Sequence, residues 1–236
     1  MVSLKDQVVL VIGASSGIGR AAAVLFAKEG ARVMASARRE DRLNALRAEI
    51  GVDVYAADAV DPAAMEKLAA HTIDKLGPID ILVFATGTNT PDRWLTRLTP
   101  AIWDMMIGTN LNGAFYATSA VLPAMRARKS GHLIYVSSIS GLTPDVSGAS
   151  YQASKRGMLG LAHAIRVEEK ENGIRTCVVC PGLVETEILE KRPVKPDAAT
   201  LAKALQPEDV ADAILAVAKL NPRVAVPEMQ VMPTLL

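Results

Sequence analysis

Val8-Val9-Leu10-Val11-Ile12 runs without a polar residue into Gly13-Ala14-Ser15-Ser16-Gly17-Ile18-Gly19, and the pattern beyond it is helical over about 17–29. A short apolar run with no alternation reads as a strand covered on both faces, which belongs to a parallel sheet. The glycines let the backbone turn tightly and come close to a ligand. The helix that follows offers free N–H groups and a positive dipole end, a setting that suits a pyrophosphate. A tight connection between strand and helix needs no ligand, but this turn leaves the first strand and opens the first helix, the context a dinucleotide site requires.

The same strand-then-helix rhythm continues outward. Further apolar runs lie at 32–37, 52–56, 79–84, 132–137 and 175–180, with helical patterns at about 41–50, 62–76, 100–128, 150–171 and 207–219. Asp61-Pro62 opens one helix as N-cap and first helical residue. Gly30, Gly77, Gly131 and Gly173 fall between a helix and the next strand, where a left-handed cap is expected. A seventh, short strand is expected near 223–232, hemmed by Pro222, Pro227 and Pro233. The expected fold is one α/β domain over 1–236: a Rossmann-like, doubly wound parallel sheet of about seven strands with helices on both faces. The stretch 183–206 breaks the rhythm with Pro193, Pro196 and mixed charges. It follows the sixth strand at the ligand-binding edge and is expected to act as a substrate lid.

Composition limits the function classes. The 236 residues carry 26 Lys+Arg against 25 Asp+Glu, a net charge of +1, so neither nucleic acid nor an anionic membrane is an expected partner. No apolar run approaches the roughly 20 residues that span a bilayer. Met1-Val2-Ser3-Leu4-Lys5-Asp6 has no secretory character. Two cysteines make no disulfide framework, so the expectation is a cytoplasmic protein. Cys177 and Cys180 are three apart on a strand, point to opposite faces and cannot share a metal; His71, His132 and His163 are scattered, so no metal site is expected. Trp94, Trp103, Met105 and Met106 read as packing residues, with Trp94 in a loop that can wall a pocket.

Tyr151 and Lys155 are four apart at the start of a helix, hence on one face. An ammonium about 5 Å from a phenol, at an effective dielectric near 20, favours the phenolate by roughly 3 kcal/mol, about two pKa units. That brings tyrosine toward general acid/base work. Ser137 and Ser138 end the fifth strand, where a hydroxyl can bond a substrate oxygen beside Tyr151.

With its G-x-x-x-G-x-G turn and Tyr151-Gln152-Ala153-Ser154-Lys155, the chain resembles the short-chain dehydrogenase/reductase family, over essentially its whole length. The resemblance implies a catalytic set of Asn110, Ser138, Tyr151 and Lys155. The family's thirteen-residue spacing from serine to tyrosine selects Ser138, and Asn110 is expected to bend its helix and hold a water that relays protons to Lys155, with Asn112 the alternative. Cofactor contacts are implied for Gly13, Ser15, Ser16, Gly17, Ile18 and Gly19; for Asp58 and Ala59 at adenine; and for Ala85 and Gly87. The stretch Pro181, Gly182, Val184 and Thr186 is implied at the nicotinamide. Ala37 stands where NAD-type members carry an acid, and Arg38-Arg39 follow. NADP is therefore the expected cofactor, clamped at its 2′-phosphate by Arg38, and NAD is disfavoured. NADP-preferring members often carry a second base before the middle glycine, where this chain has Ser16, and Phe84-Ala85-Thr86-Gly87 replaces the usual Asn-Asn-Ala-Gly.

The expected activity is hydride transfer between NADP(H) and a small carbonyl or alcohol. The alternatives are a dinucleotide-sensing regulator on the same fold, and a 3-ketoacyl-acyl carrier protein reductase docking through Arg126, Arg128 and Lys129. Leu142, Val146 and Leu183 suggest a partly apolar substrate pocket, walled by Trp94, 139–147 and 183–206, with no fixed anion clamp. Broad apolar faces on helices 100–128 and 150–171, with small residues such as Ala114, Ala117, Gly157 and Gly160, suggest a homo-oligomer, dimer or tetramer.

Overall fold

A computed structural model describes all of residues 1–236. Seven strands form one parallel sheet in the order β3-β2-β1-β4-β5-β6-β7. They are β1 (Val8–Ile12), β2 (Arg32–Ala37), β3 (Asp53–Ala56), β4 (Ile81–Phe84), β5 (Gly131–Val136), β6 (Ile174–Pro181) and β7 (Glu228–Val231). The helices are α1 (Gly17–Lys28), α2 (Glu40–Ile50), α3 (Pro62–Leu76), α4 (Pro100–Ile107), α5 (Gly113–Arg128), α6 (Ala149–Glu168), α7 (Ala198–Leu201) and α8 (Pro207–Ala218).

The strands lack alternation because both faces are covered. Val9 and Val11 pack with α1, α2 and α8; Val8, Leu10 and Ile12 pack with α3, α5 and α6. Each face holds a core cluster of 26 buried residues, so no side of the sheet is left to water. Cys177 and Cys180 follow the same rule, buried in opposite clusters as free thiols. The chain order reverses between β1 and β4, which opens a crevice at the carboxyl ends of these strands.

Local signals explain most boundaries. Asp61 accepts a hydrogen bond from the Ala63 N–H at 2.9 Å, with Pro62 in the first turn of α3. The expected helix 100–128 is instead α4 and α5 joined through one π-helical turn, Gly108–Asn112. Gly131 is not a left-handed cap: Lys129 takes that conformation (φ 55°, ψ 36°), and Gly131 starts β5, where a Cβ would run into the Met125 side chain. Gly77 has positive φ but extended ψ (95°, −174°), so it is not a left-handed cap either.

The stretch 183–206 is more ordered than its composition suggested. A single parallel bridge joins Val184 to Leu205, the Leu205 N–H donating to Leu183 O at 2.9 Å and the Glu185 N–H to Leu205 O at 2.8 Å. Between these ends lie a 3₁₀ turn, Glu187–Lys191, and the short α7. Met106 is buried as expected, whereas Trp94, Trp103 and Met105 are exposed. The broad apolar faces are mostly absorbed within the chain. Ala114, Ala117, Val121, Met125, Met158, Leu159, Ala162 and Ile165 are all buried in the core cluster on one face of the sheet, while Phe115 and Val167 stay exposed. Gly157 makes room for Leu111 of the same chain. No helix is long and apolar enough to cross a membrane.

Candidate active site

One cleft of about 420 Å³ follows the carboxyl edge of the sheet. Gly13, Ser15, Ser16, Ile18, Arg38, Arg39, Asp58, Ala59, Ala85, Gly87, Ser138, Tyr151, Lys155, Pro181, Gly182, Val184 and Thr186 line it. Gly17, Gly19 and Asn110 support it from behind. No cluster of His, Cys, Asp or Glu suited to a metal is present.

At one end the site is backbone. Gly13 has φ +97°, and a Cβ there would lie 2.8 Å from the Ala85 carbonyl carbon and the Thr86 nitrogen. A Cβ on Gly19 would meet Gly13 O. The turn is thus pressed against β4 and against its own helix, and only glycine fits. Ser16 precedes α1 in extended conformation but makes no side-chain cap, so the first N–H groups of α1 have no protein side chain to receive them. That is a cradle that fits a phosphate.

The basic pair beside it divides differently from the expectation. Arg38 is mostly exposed and reaches only Asp58, at 3.8 Å, across the ends of β2 and β3. Arg39 turns inward: Nη2 donates to Ser15 Oγ at 2.8 Å and Ser16 Oγ at 2.7 Å, and Nη1 to Glu187 at 2.8 Å. Arg42 also pairs with Glu187. Hydrogen bonds from both arginines hold the Glu187 carboxyl down at about 2. Asp58 makes a long bond from the Val60 N–H, 3.3 Å.

At the other end the site is built of side chains. Ser137 and Ser138 separate by strand alternation. Ser137 Oγ donates to Lys155 O at 3.0 Å and pins α6 to β5, while Ser138 hydrogen-bonds toward Tyr151 and Ser140. Of the two, Ser138 is the one whose hydroxyl meets the tyrosine. Lys155 Nζ donates to Val136 O at 3.0 Å and lies 5.8 Å from the Tyr151 ring centroid. Burial holds the Lys155 ammonium down at about 8. The Tyr151 phenol is raised, against the expectation that Lys155 would lower it. Burial is the largest cause and Asp145 adds to it, while the Ser138 hydrogen bond, Arg192 and Arg93 pull the other way. Desolvation of the phenolate outweighs these charges until another positive group enters.

Asn110 sits in the π turn and is fully buried, but its amide is already committed. Oδ1 accepts from the Thr88 N–H at 2.7 Å; Nδ2 donates to Thr88 O and Ser154 Oγ, each at 3.0 Å. Its side chain ties the loop after β4 to α6, with both amide hydrogens engaged. Gly87 is needed close by: a Cβ would lie 3.2 Å from Lys155 Nζ.

Several cleft residues were not singled out from sequence. Glu187 joins the 183–206 stretch to Arg39 and Arg42. Lys191 Nζ donates to Thr88 Oγ1 at 2.6 Å, and Arg93 Nη2 to Lys191 O at 2.8 Å. Arg93, in Pro91-Asp92-Arg93-Trp94, reads in sequence as an ordinary solvated turn. Lys191 and Arg192 line the same end of the cleft, cations that the sequence reading did not place there.

Comparisons with known proteins agree with this geometry. The family model for short chain dehydrogenase matches residues 7–197. The uncharacterized oxidoreductase SH0585 of Staphylococcus haemolyticus is 32% identical over 236 residues, 99% of this chain and 100% of that one. The 3-oxoacyl-(acyl-carrier-protein) reductase FabG of Thermotoga maritima is 35% identical over 222 residues, 90% of each chain. A solved structure, the closed form of serine dehydrogenase complexed with NADP+, superposes with a TM-score of 0.88 at 32% identity, covering 95% of this chain and 94% of that one. The turn, the serine–tyrosine–lysine cluster and these similarities have one reading: the chain belongs to the short-chain dehydrogenase family and is an oxidoreductase.

Proposed function

We propose that the protein interconverts a small carbonyl compound and its alcohol with NADP(H), and that Asn110, Ser138, Tyr151 and Lys155 are its working set. The observation behind this reading is the convergence of Ser138, Tyr151 and Lys155 in the cleft, one strand and one helix away from an uncapped α1 N-terminus. When bound, the nicotinamide accepts or gives the hydride. Tyr151 Oη then gives a proton to the carbonyl oxygen in reduction, or takes it from the hydroxyl in oxidation. Ser138 Oγ hydrogen-bonds the same oxygen and stabilises its charge. Lys155, a cation below about pH 8, holds the ribose hydroxyls, while Ser138, Arg93 and Arg192 favour the phenolate. Asn110 keeps the Thr88 loop and α6 in register, and so keeps Lys155 placed. The turn Gly13, Ser15, Ser16, Gly17, Ile18 and Gly19 takes the pyrophosphate. Asp58, Ala59, Ala85 and Gly87 take the adenosine side, and Pro181, Gly182, Val184 and Thr186 the carboxamide side.

NADP is favoured over NAD because β2 ends in Ala37, not an acid, and Arg38 and Arg39 follow. Arg39 lies within hydrogen-bond reach of the phosphate turn and is the stronger candidate for the 2′-phosphate, with Arg38 at the rim. The stretch 183–206 serves as the lid, hinged where Val184 meets Leu205. The test is turnover followed at the NADPH absorbance band over a panel of carbonyls. Tyr151→Phe, which removes only the phenolic oxygen, is expected to cut kcat by about 10³-fold while NADPH binding stays within about twofold. A variant with near-normal turnover sinks the mechanism, and binding of NADPH with no turnover by the wild type favours the regulator.

The acyl-carrier reading has the 35% identical FabG relative behind it. Its proposed docking residues do not support it: Arg126, Arg128 and Lys129 end α5 at the edge opposite the cleft and are engaged by Glu169, Asp80 and Asn172. We place the protein in the cytoplasm, because both its cysteines are free and buried. We also infer a homo-oligomer meeting through exposed Phe115 and Val167 on α5 and α6. A light-scattering mass near one 25.0 kDa chain would refute that.

A further inference from the structure

The substrate end of the cleft holds more positive charge than hydride transfer requires. Arg93 is 4% exposed, yet none of the chain's ion pairs includes it, Lys191 or Arg192. Its Nε donates to Thr90 O at 3.1 Å and its Nη2 to Lys191 O at 2.8 Å, both neutral acceptors. A buried guanidinium with no anion is costly, and arginine is rarely buried so deeply unless paired. The carboxylate in this region, Asp145, favours the charge on Arg93 but makes no ion pair with it, and is engaged instead by the Ser140 and Ser147 hydroxyls and the Ser147 N–H, the last at 2.8 Å.

Arg93 is also held in place. Gly148, at φ +94°, immediately precedes α6, and a Cβ there would lie 2.6 Å from both Arg93 Cβ and Arg93 O. The arginine is therefore wedged against the start of the helix that carries Tyr151. Arg93 and Arg192 both come close enough to Tyr151 to favour its phenolate, and Arg192 disfavours the charge on Arg93. Lys191 and Arg192 line the cleft itself. Two cations thus wall the substrate end of the cleft, and a third lies buried behind them, disfavoured by its neighbour Arg192.

We propose that the substrate is a short oxo or hydroxy acid, with a carboxylate a few bonds from the reacting carbon held by Arg192 and Lys191 at the cleft wall and favoured by the buried Arg93 behind them. This rests on the reductase reading of the site. A planar carboxylate matches the guanidinium fork, and a charge-assisted hydrogen bond there supplies both affinity and orientation. A neutral thioester would leave all three cations unpaired. The competing role for Arg93, a strap between the β4 loop and the 183–206 stretch, uses its donors but not its charge.

The test compares 2-oxobutanoate and 3-oxobutanoate with their methyl esters, and a phosphorylated ketone, as NADPH-dependent substrates. At least one acid is expected to exceed its ester by about tenfold in kcat/KM, a charged hydrogen bond being worth that much or more. Arg93→Met and Arg192→Met should each lower the acid's kcat/KM about tenfold more than the ester's. Arg192 lies at the rim, so its variant keeps the test sharp should Arg93→Met fail to fold. Acids and esters of equal efficiency, or equal losses on both in the variants, overturn the proposal; so does a preference for the phosphorylated ketone. Calorimetry of malonate against malonamide, on NADP-loaded wild type and Arg192→Met, reads the anion site without turnover. Malonate binding that weakens in the variant, with no carbonyl reduced, means the reductase reading has failed and the anion site stands. Reduction of neutral carbonyls with no malonate binding means the reverse.

Discussion

The two ends of the cleft are made of different material. The end at β1, β2 and β3 is shaped by backbone: a turn too tight for a Cβ at Gly13 or Gly19 and a helix with no side-chain cap at Ser16. The end at β5 and β6 is assembled from side chains that arrive from the β4 loop, β5, α6 and the 183–206 stretch. A backbone site holds whatever carries a phosphate. A side-chain site selects among substrates and performs the proton transfer. The proposed division is therefore binding at one end and chemistry with specificity at the other.

The largest expected effect tests the backbone end. Gly13→Val forces a branched side chain into φ +97° and into the Ala85–Thr86 backbone, 2.8 Å away. It should abolish NADPH binding by calorimetry and lower Tm, whereas Tyr151→Phe should leave both nearly intact. If Gly13→Val binds NADPH normally, the turn is not the phosphate cradle and the comparison breaks. A smaller effect sharpens the boundary between the ends. Arg39→Met is expected to weaken NADPH about tenfold and NADH little, the size of a lost charged hydrogen bond. Arg38→Asp should do the same more weakly, because Arg38 is mostly exposed. Glu187→Gln should act in the opposite sense. Glu187 now occupies Arg39 and Arg42, so its removal frees them and should tighten NADPH by a few-fold. Weaker binding in that variant would mean that Glu187 closes the stretch over the cofactor and does not compete with the phosphate.

The comparison also tells which parts could be read in advance. Backbone requirements leave marks in contiguous sequence: glycines at fixed offsets, an apolar run before them, a helical period after. Tyr151 and Lys155 were legible for a similar reason, since four residues on a helix fix their relation. Ser138 over Ser137 was chosen by spacing and agrees with the alternation of β5. The basic pocket was not legible. Arg93, Lys191 and Arg192 lie on loops far apart in the chain, and each alone looks like a solvated charge. Arg93 becomes informative only when it is seen buried behind Gly148 without a carboxylate. The broad apolar faces were legible only as faces, because period alone does not say which part of α5 and α6 packs on the sheet and which part is left exposed.

By itself the sequence determined the parallel sheet, the turn that opens it and the placing of Tyr151 and Lys155 one helical turn apart on α6. Each is written in local spacing, where strand and helix periods are fixed by backbone geometry. The tertiary structure decided the rest. It turned Arg39 inward and Arg38 outward, committed the Asn110 amide to Thr88 and Ser154, raised the Tyr151 phenol by burial, and brought Arg93 and Arg192, neither in an ion pair, near enough to favour its phenolate. These are matters of which distant groups share a desolvated space, and charge and hydrogen-bonding energies there depend on neighbours that spacing along the chain does not specify.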